Sequence, residues 1–356
     1  MFFFPTIQSS FLIKSSIPEK RKRSSAQIFE KGSFKNSLSC SANRVYCMQN
    51  KKWYIIINPA ASNGAVARQW EKILPQIEMH LADFTFAFTQ YRGHGMALAA
   101  DAIRQGYRHI IGVGGDGTNN EVINGIFSQT LVAPAEIVYT LLPIGTGNDW
   151  IRSYGIPKKI DAWLKMLAAG KTQLQDIGLV RYHQHGQQAQ RYFANVAGMA
   201  YDAFVVQYAE RYKRWVVHKF FYLLLVMRCL FMYRLRPAKV VFDKQEESNF
   251  YYTINVGICK YSGGGMQLVP HALPDDGLLA LTLARRVTKL GVLFNTYRFY
   301  NGTLGKHPKI TTHQAKEISV QGLEGLSTWV EADGELLGET PVGFTILPKA
   351  LRVLVP

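Results

Sequence analysis

The sequence predicts an α/β domain with a doubly wound parallel sheet, followed by a mainly antiparallel β-sandwich domain with a helical insertion. Apolar runs rich in β-branched residues alternate with helical patterns as far as Asp176, which is typical of a parallel sheet covered by helices. After Asp176, short strand patterns follow one another, separated by glycine and polar breaks, which is typical of a sandwich. A chain of 356 residues is long enough for two cores.

Residues 1–50 are polar, serine-rich and basic after a short Phe2-Phe3-Phe4 start. They lack a positive region ahead of a sustained apolar stretch, so a secretory signal is not predicted. The first strand pattern begins just after Met48. We therefore predict either that Met48 is the natural start or that residues 1–47 are a disordered extension, and in both cases that they carry no chemistry. In the predicted division of the chain, residues 1–50 form this disordered or non-native extension.

The composition indicates a globular protein with an anionic partner. Hydrophobic residues make up 47% of the chain, charged residues 19%, and the formal charge is +16. The positive charge outside the N-terminal extension is dispersed and no nucleic-acid motif is present, so a nucleic acid is not the predicted partner. The four cysteines have no metal or redox spacing, which suggests a reducing compartment.

Strands and helices alternate through the first domain. The predicted strands are residues 53–57, 84–89, 137–142 and a run that starts at His109 and stops at glycines. The predicted helices are residues 65–80 and 93–105, with others beginning at Thr118 and after Asp149. The start at Thr118 follows from its capping-box spacing to Glu121.

Three glycine-bearing turns follow strands of this domain, at residues 58–64, 114–118 and 143–148. In a parallel sheet such turns lie along one edge, where ligands of doubly wound folds bind. Glycine lets a ligand approach the backbone, and a helix N-terminus favours negative charge. The three turns therefore predict a nucleotide site, in which Asp116 holds Mg²⁺ or orients the loop.

The second domain is predicted to consist of short strands, apart from one segment. They are residues 179–183, 191–197, 238–242, 250–256, 278–283, 318–321, 328–331 and 343–347. The exception is an apolar and basic segment, residues 213–236, whose longest uncharged run is shorter than the ~20 residues that span a bilayer. Its basic residues scatter around the helical wheel, which favours helices packed on the sandwich over a membrane-surface helix.

Six motifs together resemble the bacterial diacylglycerol-kinase-like lipid kinases, relatives of sphingosine kinases and more distantly of NAD kinases and phosphofructokinases. They are Asn58-Pro59, the 114–118 turn with Asn120-Glu121, residues 143–149, Asp176-Ile177-Gly178, Asp275-Asp276-Gly277 and Asp333-Gly334-Glu335. The resemblance covers Lys52 to Pro356. One departure is that Ser62-Asn63 delays the glycine of the first turn to Gly64.

The resemblance implies a role for individual residues. Glu335 resembles the general base, and Asp276 resembles the carboxylate of a Mg²⁺ site completed by main-chain oxygens of Leu273 and Leu278. The residues implied in nucleotide binding are Asn58, Pro59, Ala60, Ala61, Ser62, Thr89, Gly115, Asp116, Gly117, Thr118, Asn119, Asn120, Glu121 and Thr146. Asp116 is also a catalytic candidate, and Asp176 either joins the catalytic charge network or caps a turn. Asp333-Gly334 is at the same time a strong hairpin signal.

The fold analogy implies that the last strand, residues 351–355, returns to the first domain. The predicted domains are then residues 51–176 with 346–356, which bind nucleotide, and residues 177–345, which bind the lipid. The predicted site lies in the cleft between them.

The leading hypothesis is a kinase that uses ATP and Mg²⁺ to phosphorylate a lipid hydroxyl, with diacylglycerol as acceptor, in phospholipid biosynthesis. Such an enzyme would be cytoplasmic and peripheral at the inner membrane surface, without a transmembrane segment. An NAD kinase and a nucleotide-binding sensor without turnover are the alternatives, and a homodimer remains an open alternative for the assembly. The apolar segment in the second domain suits an acyl chain better than a dinucleotide.

Overall fold

The computed structural model describes residues 51–145, 147–211 and 219–356. The predictions made for the N-terminal extension and for Thr146 therefore lie outside the described residues, as does part of the 213–236 segment. All described residues fall within one compact unit.

The first part of the chain forms a parallel sheet with helices between its strands. Its elements are β1 (Trp53–Ile57), α1 (Ala61–Glu78), β2 (Phe84–Phe88), α2 (His94–Arg104), β3 (His109–Gly114), α3 (Asp116–Ser128), β4 (Val138–Pro143), α4 (Trp150–Tyr154) and α5 (Ile160–Ala169). The strand order is β2-β1-β3-β4, and all these pairs are parallel. β1 and most of β3 are buried, as expected for apolar strands covered on both faces.

Two helix starts differ from the prediction. The helix α1 begins at Ala61, but Ser62, Asn63 and Gly64 have left-handed backbone angles. Regular helical geometry therefore begins at residue 65, which is the predicted start. The predicted start of α3 at Thr118 is wrong, because the helix begins at Asp116 and its N-cap, Gly115, has no side-chain cap.

The second part is antiparallel. Its elements are β5 (Thr172–Gln184), β6 (Gln187–Phe193), β7 (Val196–Ala200), α6 (Tyr201–Arg211), α7 (Lys219–Met232), β8 (Arg236–Phe242), β9 (Gln245–Gly257), β10 (Tyr261–Ser262), β11 (Met266–Gln267), β12 (Leu279–Arg285), α8 (Lys289–Phe294), α9 (Tyr297–Asn301), β13 (Ile310–Ala315), β14 (Glu317–Gly322), β15 (Trp329–Ala332) and β16 (Glu335–Leu354). The predicted fold class, an α/β part followed by an antiparallel β-rich part, is confirmed.

The strand β16 joins the two parts. It pairs antiparallel with β15, β14 and β5, and its end pairs parallel with β4 through Arg352 and Val353. Strands predicted separately at residues 343–347 and 351–355 are thus one element. The pairing register shifts between Leu347 and Leu351, where Lys349 has a positive φ, so a bulge lets one strand serve both parts.

Three helices of the second part, α6, α8 and α9, were not predicted as separate elements. The segment around α7 packs on this part as the sequence favoured, because Leu225, Cys229 and Leu230 are buried against α6 and β9. Within the described residues, no helix combines the length and the apolar character needed to span a membrane.

Candidate active site

The turn after β1 is fixed to the N-terminal end of α3. The Asn58 amide nitrogen donates to Thr118 Oγ1 over 3.1 Å, and the backbone N–H of Ala60 donates to Asn58 Oδ1 over 3.1 Å. Thr118 is 3% exposed, and its hydroxyl positions the turn by accepting this hydrogen bond. The backbone of this turn and the first N–H groups of α3, which lack intrahelical acceptors, remain as the anion-binding groups.

The second and third turns approach each other so closely that only glycine fits. A Cβ on Gly145 would lie 2.8 Å from the Gly115 Cα and 2.4 Å from Asn148 Oδ1. A Cβ on Gly114 would lie 2.2 Å from Thr118 Oγ1. The described parts of the three predicted turns therefore form one edge, which we call the glycine rim: residues 58–64, 114–118, 143–145, 147 and 148.

Asp116 lies at the centre of the glycine rim. Its Oδ1 accepts the backbone N–H groups of Asp149 (2.9 Å) and Trp150 (3.4 Å), which fixes the turn after β4. Burial, reinforced by the neighbouring Asp149 carboxylate, raises the pKa of Asp116 to about 6. A carboxylate that is costly to ionise here is stabilised by a cation.

The oxygens beside Asp116 fit the Mg²⁺ that the resemblance implies. Within the described part of the chain, Asp116 Oδ2 accepts no hydrogen bond, and the buried Asn148 Oδ1 and Asp149 Oδ1 have no hydrogen-bond partner. Asp149 Oδ1 forms an ion pair with Arg152 Nε over 3.3 Å, and Asp149 Oδ2 accepts the backbone N–H of Gly264 over 2.7 Å. No group of three or more potential ligand side chains occurs in the described residues, so phosphate and water oxygens would have to complete such a site.

Three predicted nucleotide contacts on α3 have their side chains turned to other partners. Asn119 Oδ1 accepts the Tyr139 hydroxyl over 2.8 Å inside the sheet. Glu121 accepts the backbone N–H groups of Gly93 (2.7 Å) and Gly95 (2.9 Å), so it caps α2 and takes no part in a capping box with Thr118. The third side chain, that of Asn120, points to the antiparallel part.

Asn120 and Asn124 tie α3 to the antiparallel part of the molecule. The Asn124 amide exchanges hydrogen bonds of 2.9 and 3.0 Å with the backbone of Tyr192. Asn120 donates to Asp333 Oδ2 over 3.2 Å and accepts from Arg191. The helix that borders the glycine rim therefore also determines where the β15–β16 hairpin sits.

The hairpin turn is Asp333-Gly334, with φ values of +51° and +83°, the geometry of a type I′ turn. Asp333 also accepts the backbone N–H groups of Ala194, Asn195 and Val196 at 3.0 to 3.2 Å. Burial raises the pKa of the Asp333 carboxyl, and these donors oppose the shift. Asp333 thus anchors the hairpin, in agreement with the strong hairpin signal in the sequence.

Glu335, the first residue of β16, faces the glycine rim. Its Oε1 lies 3.8 Å from the position of a Cβ on Gly117, and its side chain is 29% exposed. It forms an ion pair with Arg92, which also lies 3.4 Å from a carboxylate oxygen of Glu210 on α6. The structure therefore brings the candidate base to the candidate phosphate site across the cleft.

Arg92 is the site residue that the sequence reasoning missed. It precedes Gly93 in the turn between β2 and α2, a further turn of the same sheet edge. A basic residue in a strand-to-helix turn beside the glycine rim was a usable signal. Thr89 lies at the start of this turn and its backbone N–H bonds Ile57, but none of the hydrogen bonds made by the described residues involves its side chain.

Asp176 and Asp276 belong to another set of contacts. Asp176 accepts the backbone N–H groups of Gly277 and Lys349, both over 2.6 Å, so it holds a turn against the bulge of β16. None of these contacts reaches the glycine rim, which agrees with the turn-capping alternative.

Asp276 accepts the Leu278 N–H (3.0 Å) and the Gln314 amide (2.9 Å), which leaves one lone pair on each oxygen for a cation. Leu273 lies at the same turn and is exposed.

Two cavities lie in the antiparallel part. A cavity of about 250 Å³ is bordered by α6, the end of α7 and β15, with Phe204, Met232 and Trp329 among its lining residues. A smaller apolar cavity of about 40 Å³ lies between β9, β12, α8 and α9. The helix α6 runs from the larger cavity to Glu210, beside Arg92 and Glu335.

Comparison with known families gives two matches along the chain. Residues 52–180 match the diacylglycerol kinase catalytic domain. Residues 195–355 match the YegS C-terminal NAD kinase beta sandwich-like domain. The first match contains the glycine rim, and the second contains Glu335.

Similar curated proteins are named diacylglycerol kinase. One from Mycobacterium tuberculosis is 27% identical over 85% of this chain and 94% of its own length. One from Staphylococcus saprophyticus is 27% identical over 86% of this chain and 96% of its own length.

Crystal structures from Bacillus anthracis share the fold. One has a TM-score of 0.69 at 22% identity, and another, described as a diacylglycerol kinase, has a TM-score of 0.63 at 21% identity. Each covers 86% of this chain and 97% of its own chain.

Proposed function

The chain belongs to the diacylglycerol-kinase-like family of kinases, and on that premise we propose that it transfers the γ-phosphoryl group of ATP to a lipid hydroxyl. The acceptor that we propose is diacylglycerol, and the product is phosphatidic acid. One observation carries the proposal: the Glu335 carboxylate faces Gly117 at the glycine rim. A base and a phosphate site that meet across a cleft are the parts a hydroxyl-phosphorylating enzyme needs.

In this proposal the triphosphate binds along the glycine rim through backbone N–H groups. The turn at Asn58–Ser62 and the first turn of α3 donate to phosphate oxygens, and the side chains of Asn58 and Thr118 keep these donors in place. Phosphoryl transfer depends mainly on such positioning and on charge stabilisation. Asn119, Asn120 and Glu121 then act by holding the helix, without touching the nucleotide.

Asp116, with Oδ1 of Asn148 and Oδ1 of Asp149, would hold Mg²⁺ directly or through water. When bound, the ion would supply positive charge against the phosphate oxygens. The Asp276 turn, with main-chain oxygens of Leu273 and Leu278, is proposed as a second, structural cation site.

Glu335 accepts the proton of the acceptor hydroxyl as that oxygen attacks the γ-phosphorus and the bond to the β–γ bridging oxygen breaks. Arg92 orients the Glu335 carboxylate through their ion pair. Its position at the rim also allows the guanidinium to approach negative charge on the transferred group.

The lipid acceptor is supported by the larger of the two cavities. Its lining combines apolar and aromatic side chains, such as Phe204, Met232 and Trp329, with the polar ends of Arg234 and Arg236. It lies along α6, whose other end carries Glu210 beside Arg92 and Glu335. An acyl chain in this cavity would leave its hydroxyl directed towards Glu335. We therefore propose a cytoplasmic enzyme that acts on lipid at a membrane surface.

The test is phosphate transfer from labelled ATP to diacylglycerol and, in parallel, to NAD. We expect a labelled phosphatidic acid product with diacylglycerol and none with NAD. Glu335→Gln should lower turnover by about 100-fold or more, because the proton acceptor is lost, while ATP still binds. The control is Glu317→Gln, an exposed glutamate on β14. Transfer to NAD alone, or an unchanged rate in Glu335→Gln, contradicts the proposal.

A further inference from the structure

Exposed apolar side chains are concentrated on α7, α8 and α9. Phe294 is 77% exposed, Leu290 61%, Tyr300 57%, and Tyr297 and Phe231 55% each. Leu224 and Met232 on α7 are 49% and 45% exposed. A group of large apolar side chains on neighbouring helices is unusual on a monomer surface and marks an interaction site. We call these seven side chains and the helices that carry them the aromatic face.

Two of these helices, α7 and α8, are adjacent, and α8 turns opposite sides outward and inward. Val292 and Leu293 of α8 pack with Leu225 of α7 in one apolar cluster, whereas Leu290 and Phe294 point away from it. Lys289 donates to the backbone oxygen of Phe231 and lies 5.7 Å above its ring, which joins the start of α8 to the end of α7. The exposure of Leu290 and Phe294 therefore belongs to folded, packed helices.

The two stretches of chain that carry the aromatic face contain basic residues and no acidic ones. The sequence contains no Asp or Glu between Glu210 and Asp243, nor between Asp276 and Glu317. The exposed basic residues of these two stretches include Arg228, Arg234, Arg286, Lys289, Lys306 and Lys309. Among the described residues, none of these six forms an ion pair with a carboxylate. An uncompensated basic border fits an anionic partner.

We propose that the aromatic face docks the protein on the surface of an anionic lipid bilayer. Tyrosine and phenylalanine side chains insert at the interface between headgroups and acyl chains, and the surrounding Lys and Arg residues contact anionic headgroups. The face adjoins the larger cavity, in which we propose that the acyl chain binds, because Met232 belongs to both. The link to substrate entry rests on the proposed function, whereas the docking itself does not.

The docking test is co-sedimentation of the full chain with vesicles, independent of catalysis. We expect the protein to sediment with vesicles of phosphatidylglycerol and phosphatidylcholine, less so in added salt, and not with phosphatidylcholine alone. We test two double variants. One combines Leu290→Ser with Phe294→Ser, and the other combines Arg286→Gln with Lys309→Gln. Each should weaken binding to the anionic vesicles by about tenfold. Matched controls are Met79→Ser with Leu131→Ser, and Lys72→Gln with Lys165→Gln, all exposed and remote in sequence.

A second readout separates docking from the proposed reaction. With a short-chain diacylglycerol that is dissolved without vesicles, the docking variants should phosphorylate the acceptor at the wild-type rate, and only the rate on vesicles should fall. If no lipid is phosphorylated by any form, the proposed function fails while the sedimentation result still decides the docking. Equal sedimentation of the docking variants and the controls overturns the inference. So does a wild-type dimer in solution that the variants dissociate, because a second copy would then cover the face.

Discussion

At the scale of single residues, Asp116 shows how the site and the fold share one side chain. Its Oδ1 fixes the turn after β4 through two backbone N–H groups, while Oδ2 remains available to a ligand. Burial raises the pKa of Asp116 to about 6 from its usual 3.8, so the ionised form is unfavourable in the folded protein. The unfolded chain pays no such penalty, which makes stability depend on pH.

The sign of that dependence follows from proton binding. Between pH 3.8 and about 6 the folded protein keeps a proton on Asp116 that the unfolded chain releases, so this group lowers stability as pH rises through that range. The loss amounts to at most about 3 kcal/mol above that range. Asp116→Asn should remove this contribution, which is measured as the difference between urea unfolding curves of wild type and variant at acid and neutral pH. Parallel pH profiles would show that Asp116 titrates normally.

Arg92 gives a second prediction at this scale. Arg92→Ala removes the ion pair that orients the Glu335 carboxylate, so turnover should fall by about tenfold, since a misplaced base is still present. Arg92→Lys should retain more activity than Arg92→Ala, because lysine keeps the positive charge beside Glu335 but lacks the planar guanidinium. Steady-state kinetics measures both, and Arg104→Ala, an exposed arginine at the end of α2 that pairs with Asp101, is the control. A wild-type rate in Arg92→Ala contradicts the orienting role.

Sequence reasoning identified which residues lie at the site better than it identified where their side chains point. The turns around Asn58, Gly115 and Glu335 were identified from motifs, and the structure brings them together. The inward direction of Asn119 depends on Tyr139, a partner from another strand. Such a contact between residues distant in sequence leaves no mark on local spacing, and the same holds for Arg92 and its pair with Glu335.

At the scale of elements, α3 shows where a local rule gives way to tertiary contacts. Thr118 and Glu121 have capping-box spacing, yet each bonds another segment: Thr118 receives the Asn58 amide and Glu121 caps α2. The helix starts two residues earlier because Gly115 takes an extended conformation and leaves the next N–H groups free. A start at Asp116 places those free groups directly at the glycine rim.

Glu121→Ala tests the capping role of Glu121. The backbone N–H groups of Gly93 and Gly95 would lose a charged acceptor, so the free energy of unfolding should fall by about 2 kcal/mol. ATP affinity should change less than twofold, in contrast to the nucleotide contact that the resemblance implied. Urea unfolding and calorimetric titration give the two values. A large loss of affinity without loss of stability would restore Glu121 as a nucleotide ligand.

Gly145 offers a matching test of the glycine rim. In Gly145→Ala the new Cβ would meet Gly115 and Asn148 at distances below normal contact, so the turns after β3 and β4 must separate. ATP affinity should fall by about tenfold or more, because the phosphate-binding N–H groups move apart. Gly155→Ala is the control, since nothing lies within contact distance of its Cβ and only its positive φ strains the backbone. Equal ATP affinity in both variants contradicts a role of the close approach.

At the scale of the whole molecule, the sequence predicted the two kinds of sheet but not how they join. Strand patterns at residues 343–347 and 351–355 were visible, but the bulge between them, with Lys349 capped by Asp176, depends on a contact with a distant residue. β16 therefore runs through both parts and carries Glu335 at one end and the partner of β4 at the other. The division into residues 51–176 with 346–356 and residues 177–345 stays a prediction about binding roles.

A strand shared by both parts predicts that they unfold together. We expect the amides of β3, in the parallel part, and of β9, in the antiparallel part, to lose protection from hydrogen exchange at the same urea concentration. Val353→Ala in β16 and Val256→Ala in β9 each remove buried methyl groups and should lower the free energy of unfolding by about 2 kcal/mol. Both variants should shift the two parts equally, because neither part keeps its sheet when β16 is released. Protection that persists in β9 after β3 has opened would show two independent folding units, and β16 would then be only a covalent link between them.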